Sequence, residues 1–501
     1  MFSLPFVLGM AAYVIVVVAL SVWAGRRSGP STRSFFIASK SLPWYLISAG
    51  LISQALGGGS TIGLAATAAN QGFSSWWKLG PIFIGVIVMA LLLARPLASM
   101  QQVTHPEILE DRFGQTARAT GLFYYLTQSV SSIGTQLLAF GALLSLVTGL
   151  SVMYSAALGA VVLAVWVLLG GMLGTAWGDL LHWAIFIIGL AILVPLVYAH
   201  VGGLANILHQ PGKSAQYGNI FAVTPAEALG FCLLVIPSTF SRQVYFQRLL
   251  SARSARDGLV GSIVAAVIMV PIYLLIPLLG MAGHRLAPGL AGSKVLPFLF
   301  TAVFPTGVSV LFFAALASAL MSSGGGEVLS AASNVTQDVF VRYLRPDGSE
   351  RAQLIAARVS VVIVIGIGFG FGFGFGFGMI ILIPNVLDLL LFGYYGVVGG
   401  VTLPWLAALY WPRVTTAAAT ASMILGGGIS ISFYLYQQIS GATLGGANPI
   451  FYGLGVSLIV LVVGSLLGRP EYTKHAQFFR RNNITGLPMP RPTNAESGSV
   501  S

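Results

Sequence analysis

LPWYLISAGLISQALGGGSTIGLAATAA, residues 42–69, is an apolar stretch long enough to cross a bilayer, with Gly57, Gly58 and Gly59 consecutive at its middle. A crossing takes about 20 mostly apolar residues whose backbone polar groups bond within the segment. Glycines at mid-depth loosen that ladder, and the freed carbonyls and amides then need partners in a protein-lined cavity. AEALGFCLLVIPSTFSRQVYFQRLL at 226–250 carries a second interruption, Pro237, followed by Ser238, Thr239 and Ser241. Either one alone reads equally well as a kink filled by neighbouring helices. Together, five spans apart, they occupy corresponding places in two halves of a chain, the pattern that marks the binding site of a secondary transporter.

The rest of the chain fits that setting. Of 501 residues 56% are hydrophobic and 8% charged, against about 25% charged in soluble domains. This excludes a water-soluble enzyme, a disordered chain and a disulfide-stapled secreted module, and Cys232 is the one cysteine. Thirteen spans are expected, near 4–24, 44–68, 79–98, 119–147, 152–172, 177–200, 226–249, 258–283, 306–335, 352–382, 385–410, 414–437 and 449–468. With the N-terminus outside, the inner regions hold Arg26, Arg27, Arg112, Arg118, Arg248, Arg342 and most other basic residues, while the outer regions hold Lys78, Lys213, Arg285 and Lys294. That asymmetry predicts a multi-pass protein of the plasma (inner) membrane with its C-terminus in the cytoplasm. It also accounts for the net charge of +12 without a nucleic-acid partner. A transmembrane domain over 1–470 is expected, with core repeats at about 44–200 and 226–410, then a disordered cytoplasmic tail at 471–501. The run GIGFGFGFGFGFGM at 366–379 stacks Gly368, Gly372 and Gly376 on one side of a helix, which suits close helix packing.

Several stretches resemble the sodium:solute symporter family, in order along the chain: SFFIASKSLPWYL at 34–46, THPEILEDRFG at 104–114, GGMLGTAWGDLLHW at 170–183 and MSSGGGEVLSAAS at 321–333. The glycines at 57–59 and VYFQRLLSARSA at 244–255 look most like its choline-transporter branch. The resemblance implies an all-α membrane protein with a LeuT-type five-plus-five inverted repeat, one extra N-terminal helix and extra C-terminal helices. It also implies sodium as the transported co-substrate, held by the carbonyls of Ser53, Leu56 and Ala319 and the hydroxyls of Ser322 and Ser323. Family members with a second sodium site use hydroxyls two and three residues further on plus the fifth-helix aspartate. Here those positions are Gly325 and Gly326, leaving only Asp179, so one sodium per cycle is expected. The aromatic residues that the choline branch presents to its ligand are replaced at Ala55 and Arg242, so choline is not expected.

Ionisable residues within spans are costly and are functional candidates by default. Glu327, one helical turn past Ser323, has three readings: tuning the cation site, carrying a proton, or pairing with a basic residue. Asp179 is a second coupling candidate, and Asp388 reads as a helix-start residue. Arg242 lies deep in the second broken helix. Its planar fork suits a carboxylate, or else it neutralises Asp179 or Glu327. Lys78, at the outer end of the third span, adds a positive charge. Gln54, Ser60, Thr61, Gln128, Ser238 and Thr239 are polar contact candidates, and Trp76 and Trp77 read as an outer lid or as interfacial anchors. The expected activity is sodium-coupled symport of a small organic solute, leaning to an anion such as a monocarboxylate, by alternating access. Proton coupling or a neutral solute is the alternative, and a channel or receptor a more distant one. The HEXXH spacing and the GK[ST] of a P-loop are absent, so neither an enzyme nor an organic cofactor is expected. The partners are a small solute and the bilayer, with the chain a monomer or weak oligomer.

Overall fold

The computed structural model describes residues 4–290, 292–302, 306–374, 383, 385–442, 447–482 and 484, and it is helical throughout apart from connecting turns and one isolated bridge. After α1 (Leu4–Gly25), the glycine-bearing stretch folds as two short helices, α2 (Trp44–Ala55) and α3 (Leu64–Gln71). Leu56 leaves helical geometry at φ −104° and ψ 56°. The chain then winds through a wider turn in which the Gly63 amide donates across five residues to the Gly58 carbonyl at 2.8 Å. Neither half is long enough to cross alone, so the broken pair makes one span.

Next come α4 (Ile82–Ser99), α5 (His105–Phe113), α6 (Gln115–Thr148) and α7 (Val152–Val201). At 1.5 Å per residue the 50 residues of α7 would run about 75 Å, more than twice a hydrocarbon core of about 30 Å. It turns at Gly171, whose φ of 51° and ψ of −153° interrupt the helix. A side chain there would also meet Phe35, with the added carbon 2.9 Å from the ring. The expected spans at 152–172 and 177–200 are its two arms.

α8 (Pro225–Ser241) and α9 (Gln243–Leu250) form the second broken span, bent by 46°. The break falls at Arg242, in extended geometry, and not at Pro237, which lies inside α8. The hydroxyls of Ser238 and Thr239 donate back to the carbonyls of Val235 and Ile236 at 2.7 and 2.8 Å. α10 (Ala255–Leu286), α11 (Thr306–Asn334), α12 (Glu350–Gly372), α13 (Val386–Tyr410), α14 (Thr416–Ser440) and α15 (Pro449–Leu467) follow. Among the described residues ten helices are long and apolar enough to cross a membrane, and the bent pair α8–α9 adds one more.

α10 packs along α2 and α4, whereas α11 lies between α6 and α7 and α13 runs along α6. At the basic end of the bundle, the Leu42 amide donates to the Ser251 carbonyl and the Arg253 amide to the Leu42 carbonyl, both at 3.0 Å. This lone bridge ties the start of one broken helix to the finish of the other. Gly368 and Gly372 pack on Gly134, where an added carbon would stand 3.0 Å from the Gly368 carbonyl oxygen. Gly376 lies outside the described residues.

The tail departs from its expected disorder. Tyr472–Arg481 is a helix, α16, that buries His475, Phe478 and Phe479. Arg481 pairs with Asp111 at 3.0 Å, and Glu471 accepts from Thr416 at 2.7 Å. Two adjacent aromatic residues and a histidine give an otherwise polar segment one apolar face. Residues 483 and 485–501 lie outside the described residues.

Candidate ion and solute site

The end of α2 meets the middle of α11. Ser53, Leu56, Ala319, Ser322 and Ser323 are all buried. The Gln54 amide donates to the Ser322 carbonyl at 3.2 Å, and the Ser322 hydroxyl to the Ala319 carbonyl at 3.1 Å. Gly57 is required for this approach, because an added carbon would stand 2.4 Å from Gln136 Nε2 and 2.6 Å from Ser323 Oγ. The backbone groups freed by the break find partners nearby. Gly57 O accepts from the Thr61 amide and from the hydroxyls of Ser60 and Thr61, at 2.9, 3.0 and 2.8 Å. The Gly58 amide donates to Gln136 Oε1 at 2.6 Å, the Gln136 amide donates to Ser323 Oγ at 3.4 Å, and Tyr273 Oη donates to the Ala55 carbonyl.

Two buried ion pairs flank this junction. Arg248 of α9 binds Asp179 of α7 at 2.8 Å, with both side chains essentially inaccessible. Arg248 is therefore not one of the basic residues that orient loops. By sequence it belongs with the inner basic residues, but α9 turns it inward. Arg242, at the second break, pairs with Glu327 of α11 and donates to Tyr394 Oη at 2.6 Å. Gln128 donates to the same Glu327 oxygen at 3.3 Å. Of the readings open for Glu327 and Arg242, pairing with each other is the one the side chains adopt. Arg242 Nε has no hydrogen-bond partner among the described residues.

Between the breaks lies a cavity of about 10 Å³, room for roughly one water. Gln54, Ser60, Gln136, Arg242, Ser323 and Tyr394 line it. Thr61 instead faces an apolar pocket with Phe186 and Leu190. Ser238 and Thr239 spend their hydroxyls on their own helix, and Lys78 lines a separate cavity at the far end of the bundle. Trp76 and Trp77 stand edge to face at 5.1 Å, and Trp77 donates to the Ile220 carbonyl at 2.9 Å. The positions of Gly325 and Gly326 are filled by neighbours: a carbon added to either would lie 2.2 Å from Trp166 or from Gln54 respectively. Gln136, Tyr273, Tyr394 and Arg248 were not among the expected residues. Gln128, Ser132 and Gln136, spaced by four within an apolar span, are a polar stripe from which Gln136 is readable.

Two broken helices around a small polar cavity, with an unwound carbonyl-rich turn facing a serine pair, define a membrane transporter of the inverted-repeat kind. Residues 35–426 match the model described as SSF: Sodium:solute symporter family, and the chain belongs to that family. It is 24% identical to a sodium/glucose cotransporter of Vibrio parahaemolyticus over 91% of this chain and 89% of that protein. Identity to the sodium/pantothenate symporter of Escherichia coli (strain K12) is 24%, over 93% and 97%. High-affinity choline transporter 1 of Caenorhabditis elegans is 25% identical, over 71% and 67%. In fold, the chain is similar to a Na+-coupled sialic acid symporter solved in a substrate-bound outward-open state, with TM-score 0.78 and 15% identity over 94% of this chain and 99% of that one. Sodium-coupled symport is the activity that this membership supports.

Proposed function

We propose that the chain carries one sodium per cycle together with a small organic solute bearing a carboxylate, as a monocarboxylate does, by alternating access. The observation that supports this is the placement of Arg242. It forms the break of the second span, lines the central cavity opposite Gln54 and Ser60, and keeps its Nε–H free. The two buried pairs cancel their own charges, so the arriving sodium is the uncompensated one, and an anionic group beside it is favoured in a low-dielectric site. Sodium is assigned to the carbonyls of Ser53, Leu56 and Ala319 and the hydroxyls of Ser322 and Ser323, oxygen ligands that a hard cation prefers. Asp179 and Glu327 act through their arginines. Coupling requires each ligand to raise the affinity of the other by the same factor.

A neutral polar solute is the second reading, favoured by the neutralisation of Arg242 by Glu327. A thermal-shift screen of small organic acids and neutral solutes, with and without sodium, separates the two. Stabilisation by a carboxylate that requires sodium and disappears in the paired variant Arg242→Gln, Glu327→Gln supports the carboxylate. Stabilisation by neutral compounds alone overturns it. Changing both partners avoids stranding a buried charge.

A further inference from the structure

The central cavity is too small for a solute in this conformation, but a larger cavity shares chain segments with it. A cavity of about 330 Å³ at the far end of the bundle is lined by Lys78, Glu227, Asp388, Tyr395, Tyr434 and Asn448 among others. Consecutive residues line the two spaces: Lys78 and Leu79, Leu391 and Leu390, Tyr395 and Tyr394, the first of each pair facing the far cavity and the second the central one. Leu79 and Leu390 thus stand on the central side of the same chain segments that line the far cavity.

Charges around this cavity differ from the buried arginines of the bundle. Arg242, Arg248 and Arg118 each close on a carboxylate. Lys78, Glu227 and Asp388 have neither an ion pair nor a side-chain hydrogen bond among the described residues, although they line one space. Asp388 and Glu227 sit in the first turns of α13 and α8, but they do not cap them. Asn385 accepts from the Leu387 amide at 2.9 Å, and Thr224 from the Glu227 amide at 3.2 Å, so the carboxylates stay free. The wall between them is fixed: Tyr395 and Tyr434 stack at 4.4 Å, Tyr395 Oη donates to Asn448 at 2.9 Å, and Tyr434 Oη donates to the Asp388 carbonyl at 2.7 Å.

We propose that this far cavity is a docking subsite for a zwitterionic solute, one that carries both a carboxylate and a cationic nitrogen. Lys78 takes the carboxylate, and Asp388, with Glu227 at the rim, takes the nitrogen. A solute with a carboxylate alone meets two like charges, and an amine alone meets two opposite ones but leaves Lys78 without an anion. Only a solute with both satisfies groups that the protein holds apart. The inference rests on the reading above that solute passes through the central cavity, and it narrows the carboxylate class to zwitterions.

Calorimetric titration of the purified full-length protein tests it, with proline, 4-aminobutyrate and glycine betaine as zwitterionic probes and propionate and choline as singly charged ones. At least one zwitterion is expected to bind, and its affinity to fall at least about tenfold in both Lys78→Gln and Asp388→Asn, with Lys78→Arg close to the parent. In the pair Arg242→Gln, Glu327→Gln the sodium-dependent step at the central cavity is expected to disappear, and the sodium-independent step that Lys78 and Asp388 provide to remain. Equal binding of propionate or choline, unchanged affinity in the two far-cavity variants, or no zwitterion binding at all overturns the subsite. Undiminished uptake in the Arg242 and Glu327 pair instead overturns the central carboxylate contact and leaves the far-cavity result to stand by itself.

Discussion

The two broken spans part in different ways. The first parts at glycines, and its loose backbone is caught by neutral partners: Gln136, Tyr273 and the hydroxyls of Ser60 and Thr61. The second parts at Arg242 in ordinary extended geometry, and a buried ion pair holds the corner. One break therefore exposes backbone oxygens, which suit a bare cation. The other presents a side-chain charge, which suits a charged group on a solute. Similar sequence interruptions yield two chemistries, because glycine frees the main chain and arginine brings its own donors.

Removing the hydroxyls that face the first break is the strongest way to test this contrast. Ser322→Ala with Ser323→Ala is expected to abolish sodium-stimulated uptake while the protein stays folded; unchanged sodium dependence in reconstituted vesicles would place the ion elsewhere. On the charged side, Arg248→Ala strands Asp179 in the interior and is expected to cost about 3–5 kcal/mol of stability. That loss should be read as a lowered melting temperature in detergent, and it should be largely recovered when Asp179 is also replaced by leucine. The neutral side should be gentler. Gln136→Leu leaves the Gly58 amide without its partner and is expected to cost about 1–3 kcal/mol. A cost as large as that of Arg248→Ala would erase the distinction between the two breaks.

Much of this was readable beforehand, for reasons that are local. Three glycines at mid-span act on their own backbone, so the first break needed no knowledge of the fold. The choice of partners was not local. Arg242 and Arg248 lie six residues apart on one broken span, and which of them meets Asp179 depends on how α9 turns after the corner. Pro237 is the usual helix breaker of that stretch, yet the helix continues through it and ends at Arg242, whose corner is set by its partners Glu327 and Tyr394. The helix at Tyr472–Arg481 leaves little trace in sequence, because it is short, polar and buried on one side only.

That helix offers the smallest effect, at the basic end, away from both breaks. Burial holds the His475 imidazole down at about 4, and Arg112 adds to the effect. The unfolded segment, near the ordinary histidine value of 6.5, takes up a proton first. Docking is therefore at full strength above about 6.5 and weakens as the pH falls from there towards 4. Amide exchange across 472–482, corrected for intrinsic rates, should be faster at pH 5.5 than at pH 7.5. His475→Gln should remove that difference; if it persists, another group is responsible.

The bridge between Leu42 and Ala252 links the two broken spans. It joins the two broken spans like a yoke, through two main-chain hydrogen bonds, so that a tilt of one would load the other. No side chain takes part in those bonds, so of all point substitutions it is proline at Leu42 or Arg253, the two amide donors, that would cut the linkage.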